Sequence, residues 1–346
     1  MAISEPRTLT RRRVRPLPLG AGLAVILVLS VVVAVTMGPA NIRFDEVWAS
    51  IGSHLGFGAS PLSLLRDGIV WELRLPRVLT AAAVGAGLAV SGAVMQAITR
   101  NPLAEPYLLG LSSGASLGAV AVLLLGAAVL LPVAAFAGAL LALTLTLALA
   151  SSLGAITPTR TVLAGLAVSS LASAVTSLVI FWTATGDSYR EILGWLLGSL
   201  AGARWPAVTI TFAAILLVGI PMMLSGRVLD SFAFGDTSAR ALGVNVGATR
   251  WGMLVATALL TGAMVSVSGS IGFVGLILPH AMRIIAGPGH RALLPLSALF
   301  GAIFLVWADT AARTVFTPRE LPVGIVTAII GAPIFAVLLT RKRSET

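Results

Sequence analysis

The side chains in this sequence that could do chemistry are few, and most of them are guanidinium groups. The 346 residues include 23 basic and 13 acidic residues, three histidines and no cysteine, and Lys342 is the only lysine. Arg74 and Arg77 stand together in the hexapeptide LRLPRV, and Arg313 follows Asp309 by one helical turn. A guanidinium group is a planar fork of donors that suits a carboxylate. These arginines could therefore bind an acidic partner, or they could snorkel beside a membrane, with Arg313 pairing with Asp309.

Patterns for catalysis and for metal binding are missing from the sequence. A phosphate-binding loop needs the lysine of GxxxxGK[ST], which this chain lacks, so any use of ATP must come from a separate polypeptide. His280 and His290 have no second ligand at the spacing HxxxH or HxxE, and both are predicted to be structural. The lack of cysteine excludes thiolate metal sites and cysteine nucleophiles. We predict no catalytic site, no metal site and no cofactor bound by this chain.

The elements that must position these groups are membrane helices. Hydrophobic residues make up 57% of the chain and charged residues 10%, and the mean hydropathy is +1.00. So little polar surface cannot cover a water-exposed globule, whereas lipid requires an apolar exterior, and we therefore predict an all-α integral membrane protein. About ten transmembrane helices are predicted, near residues 19–37, 78–98, 107–127, 132–153, 161–184, 206–225, 251–270, 272–286, 292–312 and 323–340.

Two of these segments leave alternatives open. The first could be a cleavable signal peptide, although a run of about 20 apolar residues favours a retained helix. The segment 272–286 is short, and only Gly269, Ser270 and Gly272 mark its separation from 251–270, so this pair could be miscounted. The stretch 40–75 is too charged to span a bilayer and should lie outside, partly helical.

The distribution of arginine predicts the orientation. Most basic residues fall in connections that face inward if the N-terminus is inside, and inner loops collect positive charge, so both termini are predicted to be cytoplasmic. The net charge of +10 is thus assigned to topology and not to binding of nucleic acid. The predicted parts are a cytoplasmic arm (1–18), a membrane domain (19–341) with a cytoplasmic loop (226–250), and a cytoplasmic tail (342–346). The sequence NPLAEP at 101–106 is interpreted as an inner loop with two proline stops.

A glycine pattern predicts close helix packing. Gly110, Gly114 and Gly118 recur every four residues and would form one stripe along the third helix. Helices in lipid approach closely only where side chains are small, so we expect this helix to pack tightly inside the bundle. Glycine is abundant in this chain, with 36 residues, and abundance alone is the alternative explanation.

Four stretches are too specific to follow from hydrophobicity alone. They are LRLPRV (73–78), SGAVMQAITRNPLAEPYLLGLSSG (91–114), GFVGLILPHAMR (272–283) and ADTAARTVFTPRELPVGIVTAIIGAP (308–333). Together they resemble the iron-siderophore, haem and cobalamin permease family, the membrane subunits of type II ABC importers. The resemblance implies ten helices per subunit in that permease fold, a dimer with a second permease subunit, two cytoplasmic ATPase subunits and an extracytoplasmic binding protein. It also implies a multi-pass protein of the bacterial cytoplasmic membrane.

The resemblance gives three arginines a role in docking. In the family, arginines at the positions of Arg74, Arg77 and Arg313 engage glutamates on the two lobes of the binding protein. Such exposed charges would steer the encounter and fix its register, although each solvated pair contributes only about 1 kcal/mol or less. The alternative is that these arginines are structural: they snorkel beside the membrane, and Arg313 pairs with Asp309.

The loop between the sixth and seventh predicted helices is expected to contact the ATPase. In the sequence 227–250, Asp236 is a plausible N-cap and Gly243 could supply the left-handed residue that ends a short helix. Phe232, Phe234 and Leu242 are apolar residues that a plain solvated loop would not need. The resemblance places the ATPase contact at Ala239, Arg240, Leu242 and Gly243.

A cytoplasmic gate is expected where the inner connection leads into the fifth predicted helix. The resemblance places it at Thr157 and Thr159, whose small hydroxyl side chains suit a constriction that must widen. Pro158 departs from a simple Ser/Thr pattern and leaves the narrowest point open, and it could equally begin the helix.

These observations lead to one predicted function. The chain is expected to be the permease subunit of an ABC importer that moves a metal chelate by alternating access, with an iron-siderophore as the leading substrate and haem or cobalamin as alternatives. ATP and Mg²⁺ would be used by the partner ATPase subunits. A rival from another class is an ion-coupled secondary transporter, which usually needs ionisable residues near the midplane. Asp309 is the only acidic residue within the predicted spans, and it lies near an outer end.

Overall fold

The computed structural model describes residues 15–125, 127, 131–152, 157–183, 185–316 and 319–343, and this part of the chain contains helices and no strand. In its first half the helices are α1 (Pro16–Thr36), α2 (Phe44–His54), α3 (Leu64–Gly68), α4 (Leu75–Thr99), α5 (Leu111–Leu124), α6 (Leu131–Ser152) and α7 (Pro158–Thr183). They are followed by α8 (Gly186–Leu196), α9 (Trp205–Ala214), α10 (Ile220–Leu224), α11 (Gly226–Phe232), α12 (Asp236–Ala241), α13 (Val246–Ser268), α14 (Val274–Ala286), α15 (His290–Thr314) and α16 (Val323–Arg343).

The predicted set of about ten membrane helices is confirmed within the described residues. Seven helices are long and apolar enough to cross a bilayer: α1, the continuous rod 64–99, α6, α7, the rod 205–224, α13 and α15. Three shorter apolar helices, α5, α14 and α16 up to residue 337, complete the set. The uncertain pair at 251–286 consists of one long helix, α13, and the 13-residue α14.

The two continuous rods, 64–99 and 205–224, each contain a π-helical turn between two α-helical segments. The turn at Ile69–Arg74 joins α3 to α4, so the helix begins well before the predicted position 78. A second turn at Ile215–Gly219 joins α9 to α10. Such turns are frequent at functional sites, and the first one carries Arg74 as its last residue.

Helix α4 is the centre of the bundle, and glycine allows its neighbours to approach it. A Cβ on Gly85 would collide with the backbone of Gly301 in α15, and one on Gly92 would collide with the backbone of Gly275 in α14. Small residues at such crossings let the helix backbones meet, which is how helices associate tightly in lipid. Val84, like most of the rest of α4, is buried.

The predicted glycine stripe is only partly helical. Gly114 and Gly118 lie on α5, where a Cβ on either would collide with the backbone of α6 at Gly138 or Ala134. Gly110 lies before α5 with φ of +81°, a left-handed conformation that suits glycine, so the prediction that it belongs to the helix is wrong. The four-residue spacing of these glycines therefore extends past the start of α5 into the preceding turn.

Candidate functional site

The three predicted docking arginines meet at one end of the bundle. Arg74 ends the π-helical turn, Arg77 lies in the first turn of α4, and Arg313 lies in the last turn of α15. With Arg204 and Glu320 they line a cavity of about 460 Å³ that is open on one side. The sequence predicted that the three arginines lie on the same side of the membrane. The structure adds that the ends of the helices bring them into one cavity.

Their environment differs from the predicted one. Arg74, Arg77 and Arg313 were expected to be exposed, but only 4%, 8% and 3% of their surfaces are accessible. The long side chains fold inward between the ends of α1, α4 and α15, because acceptors are available there. The expectation of freely solvated arginines is therefore wrong, and their role in docking stays a prediction.

Arg77 is held by two carboxylates. Its Nε and Nη2 donate to the two oxygens of Asp309 at 2.9–3.1 Å, and its Nη1 donates to Glu320 at 2.7 Å. Asp309 is also 3.8 Å from Arg313 Nε, so the predicted local pair is the weaker of its two contacts. A bidentate, buried arginine–carboxylate pair is among the strongest polar contacts in proteins.

Among the described residues Arg74 has carbonyl acceptors and no carboxylate partner, whereas Arg313 has a close carbonyl acceptor and the more distant Asp309 carboxylate. Arg74 donates to the carbonyl oxygens of Thr36 and Ala40, and Arg313 donates to that of Ala34 at 2.7 Å. Neutral acceptors leave the positive charge of Arg74 uncompensated, and Asp309 offsets that of Arg313 only in part because its carboxylate is bound more closely by Arg77. The cavity is lined by four arginines and the carboxylate of Glu320, with Asp309 buried behind Arg77, and its field attracts anions.

At the opposite end of the bundle, the predicted coupling loop folds into two short helices, α11 and α12. The predicted N-cap role of Asp236 is wrong: Gly235, with φ of +92°, occupies that position and Asp236 is the first helical residue. Its carboxylate instead accepts two hydrogen bonds from Arg250 Nη2, at 2.9 and 3.1 Å, and lies 3.7 Å from Arg100. The hydrogen bond from Arg250, together with the nearby positive charges, lowers the pKa of Asp236 below its usual value.

The end of α12 forms a Schellman motif around Gly243. This residue has φ of +83°, its N–H donates to Arg240 O at 2.9 Å, and the N–H of Val244 donates to Ala239 O at 3.1 Å. The prediction that Gly243 supplies the left-handed residue is confirmed. The turn presents Leu242 to solvent, with 68% of its surface accessible.

The apolar residues of this loop divide into two groups. Phe232 and Ala239 are fully buried and form a small core with Val246, and the guanidinium of Arg250 lies 5.7 Å from the Phe232 ring centroid. Phe234, in contrast, is 77% exposed. Of the four residues assigned to the ATPase contact, Arg240, Leu242 and Gly243 are accessible, whereas Ala239 is buried in the small core.

The two predicted gate residues have different surroundings in the structure. Thr157 precedes α7, and its carbonyl accepts from the N–H and the hydroxyl of Thr161, while Pro158 begins the helix. Thr159 lines a cavity of about 280 Å³ opposite Asn101 and Ala104. This cavity lies between the start of α7 and the loop that follows α4, an arrangement that the sequence did not predict.

A polar junction inside the bundle joins the loop after α4 to the start of α14, and no pattern in the sequence predicted it. Glu105, interpreted as part of a plain inner loop, accepts from the N–H of Phe273 at 3.2 Å, where α14 begins. Tyr107 hydroxyl donates to Ile271 O at 3.0 Å and accepts from its N–H at 3.2 Å. Phe273 has φ of +70°, which is rare for a large side chain and marks a constrained turn. No local pattern joins residues 168 positions apart, although glycines at 269 and 272 marked the break.

Gln96 is a second buried polar position that the sequence did not reveal. Pro279 has no N–H to donate to Gly275 O, and the side-chain amide of Gln96 donates to Gly275 O at 3.3 Å and to Leu276 O at 3.0 Å. Arg283 in turn donates to the Gln96 oxygen at 3.1 Å. One α4 side chain thus satisfies the backbone of the proline-containing α14.

The histidines have structural surroundings. His290 is the first residue of α15, and both its backbone N–H and its ring Nδ1 contact Asp230 Oδ1, at 2.8 and 2.7 Å. His280 lies within α14. The described residues contain no group of three His, Asp or Glu side chains that could hold a metal ion.

This combination of membrane-crossing helices, short interrupted helices and polar groups at both ends defines a multi-pass transport permease with the type II ABC importer fold. The chain belongs to the FecCD transport family, which it matches over residues 26–341. It is 46% identical over 274 residues to the cobalamin import system permease of Halobacterium salinarum, covering 78% of this chain and 73% of that one. It is 41% identical over 315 residues to the Fe(3+)-citrate import system permease of Bacillus subtilis, covering 85% and 92%.

A solved structure agrees with this assignment. A transporter described as of the metal-chelate ABC type, in an inward-facing conformation, superimposes with a TM-score of 0.80 at 33% identity, covering 94% of this chain and all of that one. The resemblance stated from the four sequence stretches is thereby confirmed.

Proposed function

We propose that the chain is the membrane-spanning subunit of an ATP-driven importer for a metal chelate in the bacterial cytoplasmic membrane. The relatives named for cobalamin and for Fe(3+)-citrate support this substrate class. An iron-siderophore is our leading substrate, with cobalamin or haem as the alternative. The observation that carries the proposal is the placement of an anion-attracting arginine cavity at one end of the bundle and an exposed apolar turn at the other.

The arginine cavity is the proposed docking site for an extracytoplasmic binding protein. Arg74 holds a positive charge that its neutral carbonyl acceptors do not compensate, and Arg313 shares the Asp309 carboxylate with Arg77, so an incoming carboxylate gains more there than at a solvated arginine. Arg204 adds a fourth guanidinium group at the rim. Burial of the guanidinium groups fixes their direction and lowers the entropy lost on docking.

The exposed turn of the cytoplasmic loop is the proposed contact with the ATPase. Leu242 and Phe234 are apolar and accessible, Arg240 lies beside them, and the small core beneath keeps the turn rigid. In the assembled transporter two permease subunits would bind two ATPase subunits, which would use ATP and Mg²⁺. This chain would bind no cofactor and would provide differential affinity between two conformations of the pathway.

Transport in proteoliposomes tests this proposal. The permease is reconstituted with its ATPase and binding protein, and uptake of a radioactive iron-siderophore, of haem and of cobalamin is measured with and without ATP. We expect ATP-dependent uptake of one chelate, lost in Leu242→Asp and retained in Arg227→Ala, an exposed position of the same loop. Accumulation that needs no ATPase and collapses on addition of an uncoupler would refute the proposal in favour of a secondary transporter.

A further inference from the structure

Glu320 holds the accessible edge of the Arg77 guanidinium group. Its carboxylate accepts from Arg77 Nη1 at 2.7 Å, while Asp309 occupies the opposite edge of the same guanidinium. The side chain of Asp309 is 1% exposed, but that of Glu320 is 37% exposed and lines the open cavity. One carboxylate is therefore sealed inside the bundle, and the other lies where an incoming group could replace it.

A backbone hydrogen bond next to Glu320 does not depend on this ion pair. The N–H of the next residue, Leu321, donates to Ala312 O at 3.0 Å at the end of α15, and α16 begins at Val323. Release of Arg77 by Glu320 therefore requires only rotation of the glutamate side chain into solvent. An exchange of one carboxylate for another at Arg77 needs no movement of a helix.

We propose that Glu320 is an internal placeholder that occupies Arg77 until a carboxylate of the docking protein replaces it. This inference rests on the proposed docking function of the arginine cavity. In the unoccupied permease Glu320 satisfies the buried guanidinium, which would otherwise bear the cost of an unpaired charge. On docking, the incoming carboxylate takes the same donor, and Glu320 becomes free in the segment that precedes α16.

A placeholder competes with the ligand, so its removal should tighten binding. A unit charge about 5 Å from an incoming carboxylate, screened as in bulk water, weakens that carboxylate's binding about fourfold. Loss of this charge in Glu320→Gln should therefore increase affinity by at least about fourfold, equivalent to about 0.8 kcal/mol. A merely structural glutamate would give the opposite sign, because its loss would loosen the cavity.

The experiment uses the full chain in lipid nanodiscs at low salt and a fluorescein-labelled peptide of three glutamates, with a peptide of three glutamines as the probe control. Fluorescence anisotropy gives the affinity of wild type, Glu320→Gln and Arg74→Gln. Glu72→Gln is the matched control, since Glu72 is exposed, precedes the cavity in the same rod and has no ion pair among the described residues. Tryptophan fluorescence verifies that each variant is folded. If Glu320→Gln does not fold, Glu320→Asp is measured in its place.

The expected result is tighter binding of the glutamate peptide to Glu320→Gln by about fourfold or more, an intermediate affinity for Glu320→Asp, and no such gain for Glu72→Gln. Unchanged or weaker binding by the folded Glu320 variant, with weakened binding by Arg74→Gln, would overturn the placeholder and leave the docking site standing. Peptide binding that is absent from all variants, or that does not respond to Arg74→Gln, would overturn both.

Discussion

Truncation of Asp309 should be among the most destabilising changes in this chain. Asp309 is buried and accepts three hydrogen bonds from Arg77, and Arg313 Nε lies 3.8 Å away. Removing one partner of a buried ion pair typically costs about 3–5 kcal/mol, because the remaining charge is left without compensation. Glu320 still accepts from Arg77 at 2.7 Å, so we expect Asp309→Ala to cost about 3 kcal/mol, the lower end of that range.

The assay is unfolding in mixed micelles with increasing dodecyl sulfate, followed by tryptophan fluorescence. The matched control is Asp45→Ala, since Asp45 pairs with Arg43 at 3.0 Å but both side chains are more than half exposed. An exposed pair contributes at most about 1 kcal/mol, so the control should change the free energy of unfolding little. The double variant Arg77→Met/Asp309→Leu should recover most of the loss, because apolar side chains can replace a buried ion pair.

Two outcomes would refute this reasoning. One is a cost of Asp309→Ala no larger than that of Asp45→Ala, which would mean that the cluster is hydrated. The other is a double variant as unstable as the sum of the single changes at Arg77 and Asp309, which would show that the two residues do not act as a pair.

Three further perturbations test other parts of the structure. The lowered pKa of Asp236 stabilises the folded state at pH values above the unfolded pKa of about 3.9, and this stabilisation is lost as the pH falls through the lower folded pKa. Asp236→Asn should remove it, so the loss of thermal stability between neutral and acidic pH should be smaller in the variant than in wild type. Gly92→Leu should abolish folded protein in size-exclusion chromatography, since even a Cβ collides with the backbone of Gly275, whereas Gly22→Leu, where nothing lies within 4 Å of a Cβ, should be tolerated. Leu242→Asp should weaken capture of the ATPase about tenfold or more in a pull-down, without change in the unfolding of the permease, and unchanged capture would remove the turn from the interface.

The sequence was sufficient to predict the number and order of the membrane helices. Runs of apolar residues are a local property, because each span must match the thickness of the bilayer whatever its neighbours are. The left-handed conformation of Gly243 was predictable for the same reason, since a short helix with a following glycine defines its own end. Helix ends were less predictable: the rod containing Arg74 starts at Leu64, inside the charged stretch that the sequence placed before the membrane helix.

The arginine cavity shows where prediction from the sequence stops. The motif LRLPRV and the helical spacing from Asp309 to Arg313 placed the charges on one side of the membrane. Their burial, and the preference of Asp309 for Arg77 over its neighbour in sequence, depend on the crossing of α4 and α15. A pair separated by 232 residues has no signature in a single sequence.

The sequence by itself determined that this protein is an all-helical membrane permease of a recognisable family, because hydropathy and short motifs act over one turn or one span. Only the tertiary structure decided which polar groups meet: Glu105 with the start of α14, Gln96 with the carbonyl freed by Pro279, and Glu320 with Arg77. The physical reason is that a polar group buried in lipid must find a partner, and close packing of the helices determines which partner is within reach.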